Sequence, residues 1–340
     1  MGLKQSGFFD YDERIEELKS KPTALDKLNS IIKWESFRPT LKKHVGYRNG
    51  SHGGRLPYDE VLMFKIIVLQ KYYNLSEEDT EFQILDRYSF QRFLGLSVSD
   101  CVPDKNTIWR FKERLGEAGV EALFKQFSAS LAKAGLKANA GKIIDASFVD
   151  VPRQQNRRDE NQQIRSGGIP EDWHQNKAKL RQKDVHARWT TKAGERHYGY
   201  KNHIKVNKKS KVIEKYTVSD ASVHDSRVVD QLVDSGDKAL YADSAYSSWL
   251  MRHWLNTRGI RDEIHERAYS KKPLNENQKQ DNRRKSKTRA RVEHVFGFQC
   301  NNMSADRIRT IGIRRARQGI GLGNLIYNLF RFKQLGHAMF

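Results

Sequence analysis

The feature that most constrains the fold of this chain is a change of sequence character near residue 141. Up to about residue 135, apolar side chains recur at helical spacing, whereas the segment KIIDASFVDV that follows is a run of strand-forming and apolar residues. Because one regular element cannot carry both patterns, the chain must combine an all-helical part with a part that contains a sheet. We therefore predict a helical N-terminal domain over residues 1–138 and a second domain over residues 139–340.

The second domain is predicted to be α/β. HYGYKNHIKVN and KVIEKYTVSD follow the first strand and indicate a hairpin around Asn207 to Lys211, and KALYAD and IRDEI indicate further short strands. Helices are predicted near residues 223–233, 245–256, 286–300 and 315–335. Strands that begin as a hairpin and then alternate with helices favour a mixed sheet flanked by helices on both faces.

The helical part contains recognisable start signals. Pro57 suits a first helical turn, Ser76 with Asp79 forms a capping-box pattern, and Asp104 is a good N-cap for KNTIWRFKERL. Short helices that end on this basic one favour a helix-turn-helix-like bundle that binds DNA, and helical packing or dimerisation is the alternative. The basic residues expected to contact DNA from this helix are Lys105 and Arg110.

The charge of the chain points to its partner. There are 62 basic and 41 acidic residues, which gives a net charge of +21. Basic residues dominate after residue 153, and no acid follows Asp306. Such a surplus makes a polyanion the expected partner, with a merely basic soluble protein as the alternative. The basic segment 153–196 has weak periodicity, which predicts a long loop or a small insertion.

Some function classes are disfavoured by what the sequence lacks. Cys101 and Cys300 are too few for a zinc cluster or a disulfide framework, which favours a reducing cytoplasm, and a DNA-binding chain there would lie on the nucleoid. No apolar stretch approaches the roughly 18 residues that cross a bilayer, so no membrane association is expected. The GxxxxGK[ST] loop is missing, so no use of ATP is predicted.

Three acidic residues stand at positions that call for a physical explanation of the carboxylate. Asp145 lies inside an apolar strand, where a carboxylate is costly without a compensating cation. Asp243 ends the strand LYAD at the carboxyl edge of the sheet, where ligand sites collect. Glu293 lies in the predicted helix RARVEHVFGF. Each has a structural alternative: Asp145 could pair with an arginine, Asp243 could cap a helix, and Glu293 could pair with Arg289.

In a chain of this charge, three such acids suit hydrolysis of a DNA phosphodiester. In-line displacement needs stabilised charge on the attacking and leaving oxygens, which two Mg²⁺ ions about 4 Å apart supply when carboxylates hold them. No His/Cys cluster competes for a softer metal, which favours Mg²⁺ or Mn²⁺ over zinc. We predict Asp145, Asp243 and Glu293 as the catalytic residues and as the ligands of two metal ions.

With these residues in view, the sequence resembles the DDE transposases of the IS5 group of bacterial insertion sequences, nearly end to end. GRLPYDEVLMFKIIVLQKYYNLS and PDKNTIWRFKERL resemble the helical N-terminal region of that group, and IIDASFVDVP carries the first acid. HYGYKNHIKV, TVSDASVHDS and YADSAYSS resemble the region of the second acid, and RARVEHVFGF carries the third. The order, spacing and flanking strands of these blocks agree, which makes the resemblance specific in combination.

The resemblance implies an RNase H-like core with the first acid on the first strand, the second after the fourth strand and the third on a late helix. It also implies an enzyme that acts as a dimer on double-stranded DNA, binds terminal inverted repeats, frees a 3′-hydroxyl and joins it to target DNA. Of the superfamily's Tyr, Arg, Glu, Lys signature, Arg289 matches the arginine and is expected to contact a phosphate near the cut. Ser286 and Cys300 stand at the tyrosine and lysine positions.

Other residues near the acids are further candidates. Basic side chains are expected to bring phosphates toward Glu293, with a solvated charged linker as the alternative. They are Lys271, Lys272, Lys279, Arg283, Arg284, Lys285, Lys287, Arg289 and Arg291. Trp249 and Tyr246 are expected either to stack on an unpaired base or to pack in the core. Weaker candidates for supporting the site, with structural hydrogen bonding as the alternative, are His224, Asp225 and His294.

Two other functions fit part of the pattern. An RNase H-like nuclease or domesticated transposase would share the three acids and would cut DNA without joining it. A non-catalytic DNA-binding protein would share the charge and the helical part. Such a protein would have no reason to place three acids in a basic surface, so we rank it below the two enzymes.

Overall fold

Helices form the first part of the chain in the computed structural model, which describes residues 7, 9–46, 56–137, 141–192, 194–269 and 273–336. They are α1 (Asp10–Ser20), α2 (Ala24–Ile31), α3 (Arg38–Val45), α4 (Glu60–Tyr72), α5 (Glu77–Asp86), α6 (Tyr88–Leu94) and α7 (Lys105–Lys133), with a 3₁₀ turn at Trp34–Phe37. The predicted all-helical first part is confirmed. The predicted boundary between residues 138 and 139 lies outside the described residues.

Polar side chains start several of these helices. The predicted capping box of Ser76 and Asp79 is present at the start of α5, and Asp104 caps α7. The cap of α4 is Asp59, whose carboxylate accepts two backbone N–H bonds of the first turn, each 2.9 Å long. The placement of Pro57 in that first turn is therefore wrong. Pro57 precedes the cap, because Asp59 is the residue that satisfies the free N–H groups of the helix start.

The second part of the chain is built on a mixed sheet. Its strands are β1 (Lys142–Asp150), β2 (Arg188–Lys192), β3 (Glu195–Asn207), β4 (Ile213–Asp220), β5 (Ala239–Ala242) and β6 (Arg261–Ile264). β3 pairs antiparallel with β1, β2 and β4, whereas β1 pairs parallel with β5, and β5 with β6. The path β4-β3-β1-β5-β6 confirms the predicted RNase H-like mixed sheet, and β2 extends it along the first residues of β3.

Helices connect these strands and cover the sheet. They are α8 (Arg158–Arg165), α9 (Glu171–Gln175), α10 (Lys177–Arg181), α11 (Val229–Leu232), α12 (Trp249–Thr257), α13 (Glu276–Arg289), α14 (Glu293–Met303) and α15 (Ile313–Gln334). The predicted helix over 286–300 is wrong in extent, because the chain stops α13 at Arg289 and starts α14 at Glu293. The intervening turn lets Val292 and Val295, both fully buried, reach the core.

The segment 153–196 contains α8, α9, α10 and β2 and has its own packing. Its helices enclose Trp173, which is fully buried and whose Nε1 donates to Glu160 at 2.9 Å. The carboxylate of Asp184, also buried, accepts from the Tyr200 hydroxyl at 2.8 Å and from the Gly312 amide at 2.9 Å. Asp184 therefore ties this segment to β3 and to the start of α15.

One apolar core joins the helical part to the sheet. It contains Phe64 of α4, Phe127 of α7, Ile143 of β1 and Phe330 of α15. α15 packs on α7, on α4 and on β4, so it lies between the two parts. A second cluster around Leu255 of α12 covers the opposite face of the sheet. The predicted coverage of both faces is confirmed.

Candidate active site

Asp145 and Asp243 lie side by side where two parallel strands diverge. The pairing of β1 with β5 runs up to Ile143 and Tyr241, and both of these side chains pack in the core that includes α14. Alternate residues of a strand share a face, so Asp145 and Asp243, each two residues farther on, point toward the same side. The parallel register thus brings together two acids that are far apart in the sequence.

Asp145 is in a largely buried position. Arg289 Nη1 donates to Asp145 Oδ2 at 2.9 Å, and the Ala146 amide donates to Oδ1 at 2.9 Å. Burial, together with the neighbouring Asp243, raises the pKa of Asp145 to about 6 against the opposing effect of Arg289. A carboxylate with such a pKa is short of compensating positive charge, even with Arg289 in contact.

Asp243 caps a short 3₁₀ turn at Ser244–Tyr246. Its Oδ1 accepts from the Ala245 amide at 2.9 Å, so the capping alternative holds for this residue. Tyr246 at the end of the turn is 1% exposed, and its hydroxyl has no hydrogen-bond partner within the described part of the chain. Burial raises the pKa of Tyr246 well above its usual value, and the carboxylates of Asp225, Asp145 and Asp243 add to the effect. The Tyr246 hydroxyl therefore lies near these three carboxylates.

Glu293 is the first residue of α14, and its side chain is 66% exposed. Its Oε1 lies 3.9 Å from Arg289 Nη2, so the alternative pairing with Arg289 is present. One guanidinium thus stands between the first acid and the third. Across residues 7–336, leaving aside the undescribed ones, no three His, Cys, Asp or Glu side chains are close enough together to hold one metal ion. The structure brings Asp145 and Asp243 together and leaves Glu293 beyond Arg289.

His265 is a neighbour of the site that the sequence analysis missed. It follows β6 directly, and its amide donates to the Ala242 carbonyl at 3.1 Å, which places it beside Asp243. His265 Nε2 is 3.4 Å from Ser286 Oγ on α13. Burial, with the nearby charge of Arg289, lowers the pKa of His265, so the ring is neutral near pH 7. Its position directly after a strand, at the edge where ligand sites collect, was a signal available in the sequence.

The weaker candidates His224 and Asp225 make structural hydrogen bonds. His224 caps the 3₁₀ turn at Asp225–Val228 by accepting from the Ser226 amide. Asp225 Oδ1 accepts from Lys201 Nζ at 2.9 Å. It also lies 4.0 Å from Nδ1 of His203, a buried ring whose pKa is lowered to about 4 by burial.

The comparison with known protein families decides the identity of this arrangement. Residues 139–329, more than half of the chain, match the family described as "Transposase DDE domain". The chain belongs to the DDE transposase family. Residues 13–114 of the transposase match a second family, described as "Transposase domain (DUF772)".

A solved structure is also similar to the transposase. It is described as "Cryo-EM structure of piggyBac transposase synaptic complex with hairpin DNA", with a TM-score of 0.44 and 13% sequence identity. The similarity covers 92% of this chain and 74% of that chain. Separately, the helices of the transposase that can be described include none that is both long and apolar enough to span a membrane.

The predicted DNA-binding residues on α13 of the transposase divide into two groups. Arg283 and Lys287 are exposed. Arg284 pairs with Glu263 at 2.6 Å, and Lys285 is 5% exposed, with its Nζ donating to a β6 backbone carbonyl at 2.9 Å. The structure contradicts a DNA-binding role for Lys285, because its ammonium is folded back onto the sheet. Arg284 is exposed, but its guanidinium is already paired with Glu263.

The other predicted basic residues lie on the surface or outside the described part. Arg291 is exposed and donates to a backbone carbonyl at 2.8 Å. Lys105 and Arg110 are exposed near the start of α7. Lys271 and Lys272 lie outside the described residues. The cations that remain available to a phosphate therefore come from both parts of the transposase.

The aromatic candidates behave differently from each other. Tyr246 packs in the core, as one alternative predicted. Trp249 does not, because it is 74% exposed at the start of α12, with its ring stacked on His253 at 5.3 Å between centroids. His294 is exposed beside Glu293. Trp249 therefore stays a candidate for stacking on a base, and Tyr246 does not.

Proposed function

We propose that this chain is a transposase of the IS5 group that binds terminal inverted repeats, cleaves the transposon ends and joins the freed 3′-hydroxyls to target DNA. The observation that carries the proposal is the pair of acids Asp145 and Asp243, together with Arg289, which contacts Asp145 and lies 3.9 Å from Glu293. Largely buried ion pairs contribute little to stability compared with apolar packing, so such a cluster calls for a functional reason.

The proposed cofactor is a pair of Mg²⁺ or Mn²⁺ ions. Asp145 and Asp243 would hold them, with Glu293 as a further ligand, and the raised pKa of Asp145 fits a site that lacks positive charge. The ligands are carboxylate oxygens, which Mg²⁺ and Mn²⁺ prefer. When bound, the two ions would stabilise charge on the attacking and leaving oxygens of the phosphodiester.

The residues of the chain itself would position the DNA. The guanidinium of Arg289 is 27% exposed beside the acids, where it can bind a phosphate next to the cut. Exposed Arg283 and Lys287 would bind phosphates on the approach, and Trp249 would stack on an unpaired base near the end. We further propose that two copies act together on DNA, since two transposon ends have to be joined.

The test is cleavage and joining of labelled transposon-end DNA in Mg²⁺. Asp145→Asn, Asp243→Asn and Glu293→Gln keep the side-chain shape and remove the charge. Each should still bind DNA, and cleavage should fall by at least about 100-fold, the scale of losing a main electrostatic contact in an active site. Glu121→Gln, an exposed acid on α7, is the matched control and should cut like wild type.

Each other outcome selects a different function. Wild type that cuts but never joins ends would identify a nuclease or a domesticated transposase. Wild type that binds DNA but never cuts would favour the DNA-binding protein. If the three variants cut as fast as wild type, the chemistry lies elsewhere in the chain.

A further inference from the structure

A cleft of about 680 Å³ lies between the helical part of the transposase and the last two helices of its second part. One wall comes from α4, α5 and α7, and the other comes from α14, α15 and the loop that joins them. The basic residues that line it are Lys71, Lys112, Arg307, Arg309 and Arg315. The acidic residues that line it are Glu77, Glu113 and Asp306.

The charges in the cleft are unbalanced. Three ion pairs match six of these residues. They are Lys112 with Glu77, Arg315 with Glu113 at 2.9 Å, and Arg307 with Asp306 at 3.6 Å. Lys71 and Arg309 are left without an ion pair among the residues that line the cleft. Burial and the neighbouring ammonium of Lys112 lower the pKa of Lys71 to about 8, against the opposing effect of Asp306.

An aromatic side chain accompanies these cations. Trp109 of α7 lines the cleft and is 47% exposed. A site that attracted anions by charge alone would need no indole at its wall. Cations next to an exposed aromatic ring are the combination that binds single-stranded nucleic acid, because phosphates meet the cations and bases stack on the ring.

The cleft has a fixed position relative to the active site. Glu293 and Cys300 lie on nearly the same face of α14, two turns and about 10 Å apart, and Cys300 lines the cleft. The loop after α14 is also bonded to the strand of the first acid. The Asp150 amide donates to the Asp306 carbonyl at 2.8 Å, and the Ile308 amide donates to the Asp150 carbonyl at 2.9 Å. About 10 Å is the length of roughly three nucleotides in a duplex strand.

We propose that this cleft binds a single strand of DNA about three nucleotides from the cut, with phosphates on Lys71 and Arg309 and an unpaired base on Trp109. The inference rests on the proposed function, since it takes DNA as the substrate of the neighbouring site. A cleft of this volume has the size of a small-molecule pocket. It can enclose one or two nucleotides, whereas an intact duplex could only cross its mouth.

The test is a binding measurement without divalent metal, so it does not depend on cleavage. Transposon-end DNA with three unpaired nucleotides should bind wild type more tightly than the fully paired end. Trp109→Ala should reduce this preference by about 10-fold. Lys71→Gln and Arg309→Gln should each lower the slope of log K against log salt by about 0.7, the value for one lost phosphate contact on a single strand.

Matched controls and a second readout keep the result clear. Trp189→Ala and Lys125→Gln change an exposed tryptophan and an exposed lysine outside the cleft, and they should bind like wild type. A 5-iodouracil in the unpaired segment should cross-link wild type at Trp109 under ultraviolet light, which needs no variant to fold. Unchanged preference and salt slope in all three cleft variants, with no cross-link at Trp109, would overturn the proposal.

The two proposals can fail separately. If wild type never cuts DNA but the cleft variants lose their preference for unpaired ends, the cleft stands and the catalytic function falls. If wild type cuts in Mg²⁺ and the cleft variants bind unpaired ends as wild type does, the catalytic function stands and the cleft falls.

Discussion

The contact between Arg289 and Asp145 shows which properties of a single residue can be predicted from the sequence and which cannot. An acid inside an apolar strand predicted that Asp145 needs a compensating cation, and the structure supplies one. Which arginine supplies it was not predictable, because the two residues are 144 positions apart. Helical and strand periodicity describe neighbours along one element and carry no information on contacts between elements.

The charge of Asp145 leads to a prediction on stability. Its pKa rises from an ordinary 3.8 to about 6, so the folded state binds the proton more tightly than the unfolded state. The stabilisation of the folded state by this bound proton is therefore fully present below about pH 4 and is lost as the pH rises through about 6. Asp145→Asn should raise the free energy of unfolding of the metal-free protein at about pH 8 by up to about 3 kcal/mol.

Urea unfolding in a chelator checks this, at about pH 8 and again at about pH 4.5. The gain should shrink at the lower pH, where wild type is already protonated. Asp230→Asn, an exposed acid on α11, is the control and should change little at either pH. A gain of the same size at both pH values would mean that the charge of Asp145 is not its source.

At the scale of one element, α13 shows why a basic stretch does not identify DNA contacts by itself. Lys285 and Lys287 are two lysines of the same basic stretch, but their surroundings differ. Lys285 is buried against β6 and pairs with Asp281, whereas Lys287 faces solvent. Capping patterns were easier to predict because the side chain and the amide it binds are three residues apart. The break between α13 and α14 was not predictable, since no Gly or Pro marks it.

The two lysines of α13 should respond differently to neutralisation. Lys287→Gln should lower the salt slope of duplex binding by about 0.9, because it removes one phosphate contact, and it should leave stability unchanged. Lys285→Gln should lower the free energy of unfolding by roughly 1–3 kcal/mol, because it leaves the buried carbonyl of Ile264 without the lysine donor. Fluorescence anisotropy over a salt series and urea unfolding measure the two effects. The reverse pattern would show that Lys285 reaches DNA.

α7 also contains a break that substitution can test. Gly116 has φ 58° and ψ −174°, a region that other residues avoid, although a Cβ there would meet open space. Gly116→Ala should therefore lower the free energy of unfolding by roughly 1–3 kcal/mol. Gly297→Ala in α14 is the matched control, with open space and helical backbone, and should raise it by up to about 1 kcal/mol. If Gly116→Ala and Gly297→Ala changed the free energy of unfolding by the same amount and in the same direction, α7 would be able to straighten at Gly116.

At the scale of the whole molecule, the sequence predicted two domains, and the structure shows a core that both share. Ile326 of α15 is fully buried in the cluster that contains residues of α4, α7 and β1. We therefore expect thermal unfolding to be a single transition, with helix content and tryptophan fluorescence changing together. Ile326→Val should lower the midpoint for both signals by the same amount. Two separate midpoints would show that the parts unfold independently.

The position of Arg289 has a consequence for how the transposase meets its ligands. One guanidinium cannot fully neutralise both Asp145 and a DNA phosphate, so DNA that draws it away leaves the acids with less opposition to a metal ion. DNA and metal should then favour each other's binding, and thermodynamic reciprocity makes the two enhancements equal. Calorimetric titration of Mn²⁺ with and without end DNA measures that factor. A transposase free of DNA would hold its metals weakly, and its capacity to cut would be linked to the presence of a substrate.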